Sequence, residues 1–529
     1  MSSSDSVLRP PAAPASYACP WTPDLGDGTF RNPVLFADYS DPDVIRVGND
    51  FYLTASSFNC APGLPILHSR DLVNWTIIGH AIANVPHPRY SQVQHGCGVW
   101  APALRFHAGK FWIFFPMPDE GIYVTTADHP SGKWSRPHLL QAGKGLIDPC
   151  PLWDDDGKAY LVHAFAFSRA AKKDKLRICP MAPDGSRLLG EGRIVFDDPQ
   201  RHPTLEGPKF YRRNGWYYLL APAGGVATGW QTALRARNIY GPYEDKVILE
   251  QGSTPINGPH QGALVDLPNG QWWFLHFQDA GPYGRVVHLE PVVWKDGWPL
   301  IGLDQDRNGI GEPVSVHAKP EVDGCDSVTV PQTSDEFNSL KLGLQWQWPA
   351  NPEPRWYSLS ARAGWLRLFA MAQPVEVVSL WSAPSLLLQK LPAPEFTATT
   401  RLDFRGLAAG ERAGLVLTGA DYSYLAVEKA ASGWRLLKAS CMKADELGRE
   451  VSEAEAACSG DSVVLRVSVS EGALCHFSYS DDGKTFVPLG KTFAARAGKW
   501  IGAKVGLFCL GSRNASQTGH ADFDWLRIQ

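Results

Sequence analysis

The stretch Ser40-Asp41-Pro42-Asp43-Val44-Ile45-Arg46-Val47-Gly48-Asn49-Asp50-Phe51-Tyr52 holds, in order, an acid, a proline, an apolar strand, a glycine turn and an aromatic strand. So short an apolar run, bounded by Pro and Gly-Asn, predicts a β-hairpin and not a helix. The same order returns four times. The copies are Ala101-Pro102 to Trp112 around Gly109-Lys110, Asp148-Pro149 to Tyr160 around Asp156-Gly157, Gly207-Pro208 to Tyr218 around Asn214-Gly215, and Gly258-Pro259 to Trp273 around Asn269-Gly270. Three of the five turns are Asn-Gly or Asp-Gly, pairs that accept the backbone of a tight hairpin. The prolines at 42, 102, 149, 208 and 259 stand 60, 47, 59 and 51 residues apart. One four-stranded propeller blade takes about 40–50 residues before loop insertions. The chain therefore reads as all-β and opens with a five-bladed β-propeller; a β-sandwich with irregular hairpins gives no reason for one order to recur five times.

Past Gly311-Glu312-Pro313 the repeat stops, and a stretch rich in Pro, Asp, Ser and Thr follows. A second set of strands begins near Asp335-Glu336-Phe337 and runs to Phe523–Ile528 at the C-terminus, with Asp481-Asp482-Gly483 as one hairpin turn. About 200 residues of this kind suit a sandwich or jelly roll. The expected division is an N-terminal arm over 1–28, the propeller over 29–318, a linker over 319–332 and a β-sandwich over 333–529.

The bulk numbers exclude several classes. Lys and Arg total 50 against 54 Asp and Glu, a net charge of −4, so no basic field exists to displace counterions from nucleic acid. No run of about 18 apolar residues occurs, so no transmembrane helix is expected and the chain reads as soluble, without a membrane partner. The first twenty residues lack the apolar core of a secretory signal, which leaves a cytoplasmic protein and an exported one with its signal removed both open, as is the oligomeric state. Ten cysteines from Cys19 to Cys509 show no metal-ligand spacing and read as buried free thiols. Cys60 and Cys97 fall in loops at the expected pocket rim and are taken as reduced. Tryptophan, at 20, exceeds tyrosine, at 16; Trp112, Trp216, Trp272 and Trp273 lie in hairpins and are assigned to blade packing.

In a propeller the innermost strands line a central channel, and a proline is tolerated at a strand's first residue. Residues beside the five prolines should then converge at one mouth: Asp41, Trp100, Asp148, Glu206 with Gly207, and His260. Three carboxylates from three blades repel one another and raise at least one pKa, a cost that catalysis explains. Two carboxyls flanking a sugar, one protonated and one ionised, are the arrangement of glycoside hydrolysis.

At these residues the resemblance becomes specific. Asn32-Pro33-Val34-Leu35 through Ser40-Asp41-Pro42-Asp43-Val44-Ile45-Arg46, His68-Ser69-Arg70-Asp71-Leu72-Val73-Asn74-Trp75, Val99-Trp100-Ala101-Pro102, Ile147-Asp148-Pro149 and Glu206-Gly207-Pro208 together resemble glycoside hydrolase family 43. The C-terminal part, ending in Asp522-Phe523-Asp524-Trp525, resembles the concanavalin-like sandwich appended to β-xylosidases of that family. The resemblance implies an inverting exo-glycosidase that removes β-D-xylosyl or α-L-arabinofuranosyl units from hemicellulose oligosaccharides or side chains. Asp41 matches the general base, Glu206 the general acid and Asp148 the acid that tunes and orients its partner. Arg285 matches an arginine on sugar hydroxyls and on the modulating carboxylate, and Phe58 and Trp100 match aromatic walls of the sugar site. No cofactor is required, although His260 matches a channel histidine that in some members meets a structural calcium ion through water. Inversion implies a separation of about 6.5–9.5 Å between the carboxyls of Asp41 and Glu206.

Two rival readings are a carbohydrate-binding propeller without catalysis and a retaining five-bladed fructan hydrolase, which would carry Arg-Asp-Pro where this chain has Ile147-Asp148-Pro149. Other polar features read as structural. Asp43, two residues past the base, suits a turn or backbone cap. Asp154-Asp155-Asp156 has the composition of a solvated turn. Asp304, Asp306 and Asn308 imitate a calcium loop, but its twelfth position is Ser315. His68 and His95, near the rim, are read as hydrogen-bonded structural residues.

Overall fold

In the computed structural model, which describes residues 19–323, 327–372, 379–511 and 519–529, five consecutive four-stranded antiparallel sheets run from Asp43 to Ile301. Each takes its strands in chain order, and the first strands begin at Asp43, Ala103, Leu146, Lys209 and His260. These are the five blades that the repeat predicts. Residues 1–18 of the arm and 324–326 of the linker, including Cys325, lie outside the described residues.

In four blades the repeat proline stands immediately before the first strand residue, where its missing N–H costs no ladder bond. Blade 3 corrects the expectation: its first strand is Leu146–Trp153, with Asp148-Pro149 inside it at a register shift between Ile147 and Cys150. The bulge frees the proline from pairing, so the strand can start earlier while the repeat position is kept. The residue before the proline has φ of 55° at both Asp41 and Asp148, 59° at Gly207 and 47° at Gly258. Asp tolerates left-handed backbone better than most side chains, yet a following proline crowds helical ψ values. The fold imposes this turn on both acids.

Asp43 is fully buried and bridges the channel. Its Oδ2 accepts the Leu104 N–H at 2.7 Å and pairs with Arg105 at 2.7 Å and Lys209 at 3.5 Å, while Arg105 also reaches the Cys150 thiol at 2.8 Å. Blades 1, 2, 3 and 4 are thus tied at their first strands by a backbone cap and ion-pair hub. At ring closure each blade keeps its own four strands, and the segment ahead of blade 1 bridges blade 5 through Leu35 and Val287. Thr29–Arg31 pairs with Val316–Ala318, and the Asn32 side chain donates to the Leu289 and Val314 carbonyls and accepts from the Leu289 N–H. Blade 1 and blade 5 share one apolar core that includes Phe51, Trp75, Leu275 and Leu289.

The second domain is a sandwich of an eight-stranded and a six-stranded sheet around a large apolar core, with a second apolar cluster around Tyr422, Tyr424 and Phe508. The terminal strand, His520–Ile528, lies between Leu366–Phe369 and Phe396–Asp403, integral to its sheet as its alternating pattern predicts. The two domains are joined by paired backbone bonds between Ala61 and Trp348, by Tyr283 Oη donating to the Pro394 carbonyl at 2.8 Å, and by the Gly502 N–H donating to Asp38 Oδ2 at 3.0 Å. The last of these seats a sandwich loop over the propeller channel.

Candidate active site

Asp41, Asp148, Glu206, Phe58, Trp100 and Arg285 line one cavity of about 330 Å³, joined by Phe167, Gln261 and Trp500. Every carboxylate and aromatic residue assigned to the site from sequence therefore meets there. Asp41 and Asp148 are 5 % and 6 % exposed, whereas the Glu206 side chain retains 34 %. The two aspartates sit at the closed end and the glutamate faces the mouth.

Asp41 accepts from the hydroxyls of Ser40 at 2.8 Å and Ser56 at 2.5 Å, and from Arg285 Nη1 at 3.2 Å. This corrects the expected pairing of Arg285 with Asp148. Arg285 opens a blade 5 strand whose first N–H donates to Asp38 Oδ1 at 2.9 Å, and that anchor drops the guanidinium beside blade 1. Its plane also lies over Phe277, 4.7 Å from the ring centroid.

Asp148 Oδ2 accepts the Gly207 N–H at 2.8 Å, so its carboxyl rests against the residue after Glu206. Burial, and next the negative charge of Glu206, push Asp148 well above the usual carboxylate range; the Gly207 bond and Lys209 oppose them. Asp148 thus retains its proton at pH values where isolated carboxyls have lost theirs. A carboxyl raised in the folded state costs stability as pH climbs above its unfolded value of about 3.9, and the cost levels off beyond its folded-state value. Asp148→Asn is therefore expected to raise the melting temperature, with no gain below about pH 4 and a growing one above it, while turnover falls. A melting temperature below that of the wild type at neutral pH would refute this account.

His260 Nε2 lies 3.1 Å from Glu206 Oε1, a contact that the sequence did not announce, and its Nδ1 is buried with no partner among the described residues. Among the described residues no group of three His, Cys, Asp or Glu side chains is placed to hold a metal ion. A calcium ion beside His260 would therefore be held mainly through water, and no step below uses one. The Asp304 and Asp306 carboxylates accept backbone N–H groups of their own turn. The remaining polar features fall away from the cavity. His68 pairs with Asp50 on a hairpin at 2.8 Å; His95 stacks on Trp381 of the sandwich at 3.4 Å and is held neutral by burial, its pKa lowered to about 4. Asp154 accepts from Arg212 and Tyr217 at 2.6 Å each. All nine cysteines among the described residues are free, and Cys60 accepts from Lys504 Nζ at 3.0 Å.

Trp500 is the residue that sequence reasoning missed. It sits 5.8 Å from the Arg285 guanidinium and 6.3 Å from Trp100, carried by the sandwich loop that Asp38 anchors. Its signal was a tryptophan inside Gly498-Lys499-Trp500-Ile501-Gly502, outside any strand. Ser40 and Ser56 were missed as well, one of them next to the base in the opening motif.

Comparison with known proteins agrees with this geometry. The family model for Glycosyl hydrolases family 43 matches residues 30–299, and that for the Beta xylosidase C-terminal Concanavalin A-like domain matches residues 334–529. A putative beta-xylosidase of Xylanibacter ruminicola is 42% identical over 489 residues, covering 92% of this chain and 87% of that protein. A beta-xylosidase of Formosa agariphila is 35% identical, covering 95% and 90%. Among solved structures, a family 43 protein from Bacillus licheniformis superposes with a TM-score of 0.82 at 27% identity, covering 94% of this chain and 99% of that one. With both halves matched and relatives aligned along nearly its whole length, the chain belongs to glycosyl hydrolase family 43 and is a glycoside hydrolase.

Proposed function

We propose that the enzyme is an inverting exo-glycosidase that releases terminal β-D-xylosyl or α-L-arabinofuranosyl units from hemicellulose oligosaccharides or side chains. The observation that carries this reading is the depth order of the acids, with buried Asp41 at the closed end and Glu206 at the mouth. A terminal sugar fills the closed end between Phe58, Trp100 and Trp500, whose apolar faces suit the C–H faces of a pentose ring. Its leaving oxygen then lies toward Glu206 and solvent. Asp41 takes a proton from water, the water oxygen attacks the anomeric carbon, the glycosidic bond breaks, and Glu206 delivers its proton to the departing oxygen. Arg285, held by Asp41 and Ser40, faces the hydroxyls of that sugar. The relatives named beta-xylosidase, and a non-reducing end alpha-L-arabinofuranosidase of Bacteroides ovatus at 29% identity over 95% of both chains, support the choice of pentosides.

The test is proton NMR of fresh hydrolysate from an aryl β-D-xyloside. α-Xylose is expected as the first product, and β-xylose first would establish retention and overturn the mechanism. A panel of p-nitrophenyl glycosides should show turnover confined to xylosides and arabinofuranosides, with hexosides rejected by the closed end.

A further inference from the structure

The carboxylate of an aspartate is not fixed by its own covalent geometry, because rotation about Cβ–Cγ is broad and nearly two-fold. A general base that must meet one water at one angle needs something else to hold it. Around Asp41 that function falls to two hydroxyls. Ser40 and Ser56, 1 % and 2 % exposed, both donate to Oδ2, at 2.8 and 2.5 Å. Ser40 accepts Arg285 Nη1 at 2.7 Å, which commits its own proton to Asp41. The Ser56 N–H donates to the Ser40 carbonyl at 2.9 Å, locking the two segments together. Among the described residues Oδ1 meets only Arg285 Nη1, at 3.2 Å, against 3.5 Å from the same nitrogen to Oδ2. Since each carboxylate oxygen has two acceptor sites, Oδ2 is filled by the serines and Oδ1 keeps one free.

We propose that Ser40 and Ser56 are positioning residues that aim the general base, and that Oδ1 is the oxygen that takes the proton from water. The inference rests on the role proposed above for Asp41. In the step itself, one water O–H bond breaks and its proton passes to Oδ1, while the oxygen lone pair forms the bond to the anomeric carbon. The hydroxyls keep their protons throughout.

Ser56 gives the cleaner test, because its hydroxyl touches Asp41 and not Arg285. Ser56→Ala should lower kcat on an aryl xyloside roughly 10- to 100-fold, the scale of one hydrogen bond to a charged group, with KM little changed. Ser56→Thr keeps a hydroxyl and should recover most of the rate. The decisive comparison is a double-mutant cycle. In Asp41→Ala, measured with and without added azide, Ser56→Ala should cause no further loss of residual turnover, since the group it aims is gone. An equal loss in both backgrounds would make Ser56 merely structural and overturn the proposal, as would a Ser56→Ala enzyme at the wild-type rate. Full activity in Asp41→Ala alone would instead remove the base assignment on which the inference rests.

Discussion

Glu206→Gln should hydrolyse a xylo-oligosaccharide roughly 10²- to 10⁴-fold more slowly than the wild type, the range that general acid catalysis contributes. A sugar alkoxide is a poor leaving group and must be protonated as the bond breaks. A dinitrophenolate leaves without that help, so the same variant should be close to wild type on the dinitrophenyl xyloside. The substitution is nearly isosteric and leaves His260 a polar partner in place of the 3.1 Å contact, so loss of fold is not expected to intrude. Measuring kcat/KM on both substrates decides the matter. An equal deficit on the two would mean that Glu206 does not deliver the proton.

The second large effect has the opposite substrate signature. Asp41→Ala removes the group that activates water, which every substrate needs, so a loss of about 10²–10⁴-fold is expected on good and poor leaving groups alike. Asp43→Ala, only two residues away, is the natural contrast. Its carboxylate pairs with Arg105 and Lys209 in the channel, and removing it leaves two buried cations without their counter-ion. That should cost about 3–5 kcal/mol of unfolding free energy, read as a lower denaturant midpoint, with turnover per folded molecule preserved. If Asp43→Ala lost more rate than Asp41→Ala, the division between base and structural hub would be wrong.

The propeller was legible because its defining signal is local. Proline, turn glycine and aromatic strand sit within one hairpin, and five such hairpins count the blades. The three carboxylates were legible for the same reason, since each stands one or two residues before a repeat proline. What the sequence could not supply are contacts between distant segments. Trp500 reaches the cavity from the other domain, on a loop whose position depends on Asp38. The partner of Arg285 turned on a single backbone anchor that placed it beside Asp41, not Asp148. Blade 3 hid its bulge, because an Asp-Pro pair looks alike at the start of a strand and inside one. The tryptophan excess is largely architectural, as its hairpin positions suggest: Trp112 and Trp273 are buried, while Trp216 and Trp272 lie beneath the guanidinium groups of Arg235, Arg237 and Arg213.

The left-handed backbone shared by four of the five residues before the repeat prolines bears on any attempt to improve this enzyme. Blades 4 and 5 place glycine there, which adopts φ near 50–60° without penalty. Blades 1 and 3 place the two buried catalytic-site aspartates in the same conformation, and Asp148 carries both backbone strain and the burden of a buried acid, whereas Asp41 is held by the Arg285 guanidinium. Screening for heat resistance alone will therefore select glycine at 148, which relaxes the scaffold while disarming the site, but not at 41, where loss of the carboxylate leaves Arg285 buried without its counter-ion. Thermostable variants should be sought at other positions, with turnover scored in the same round.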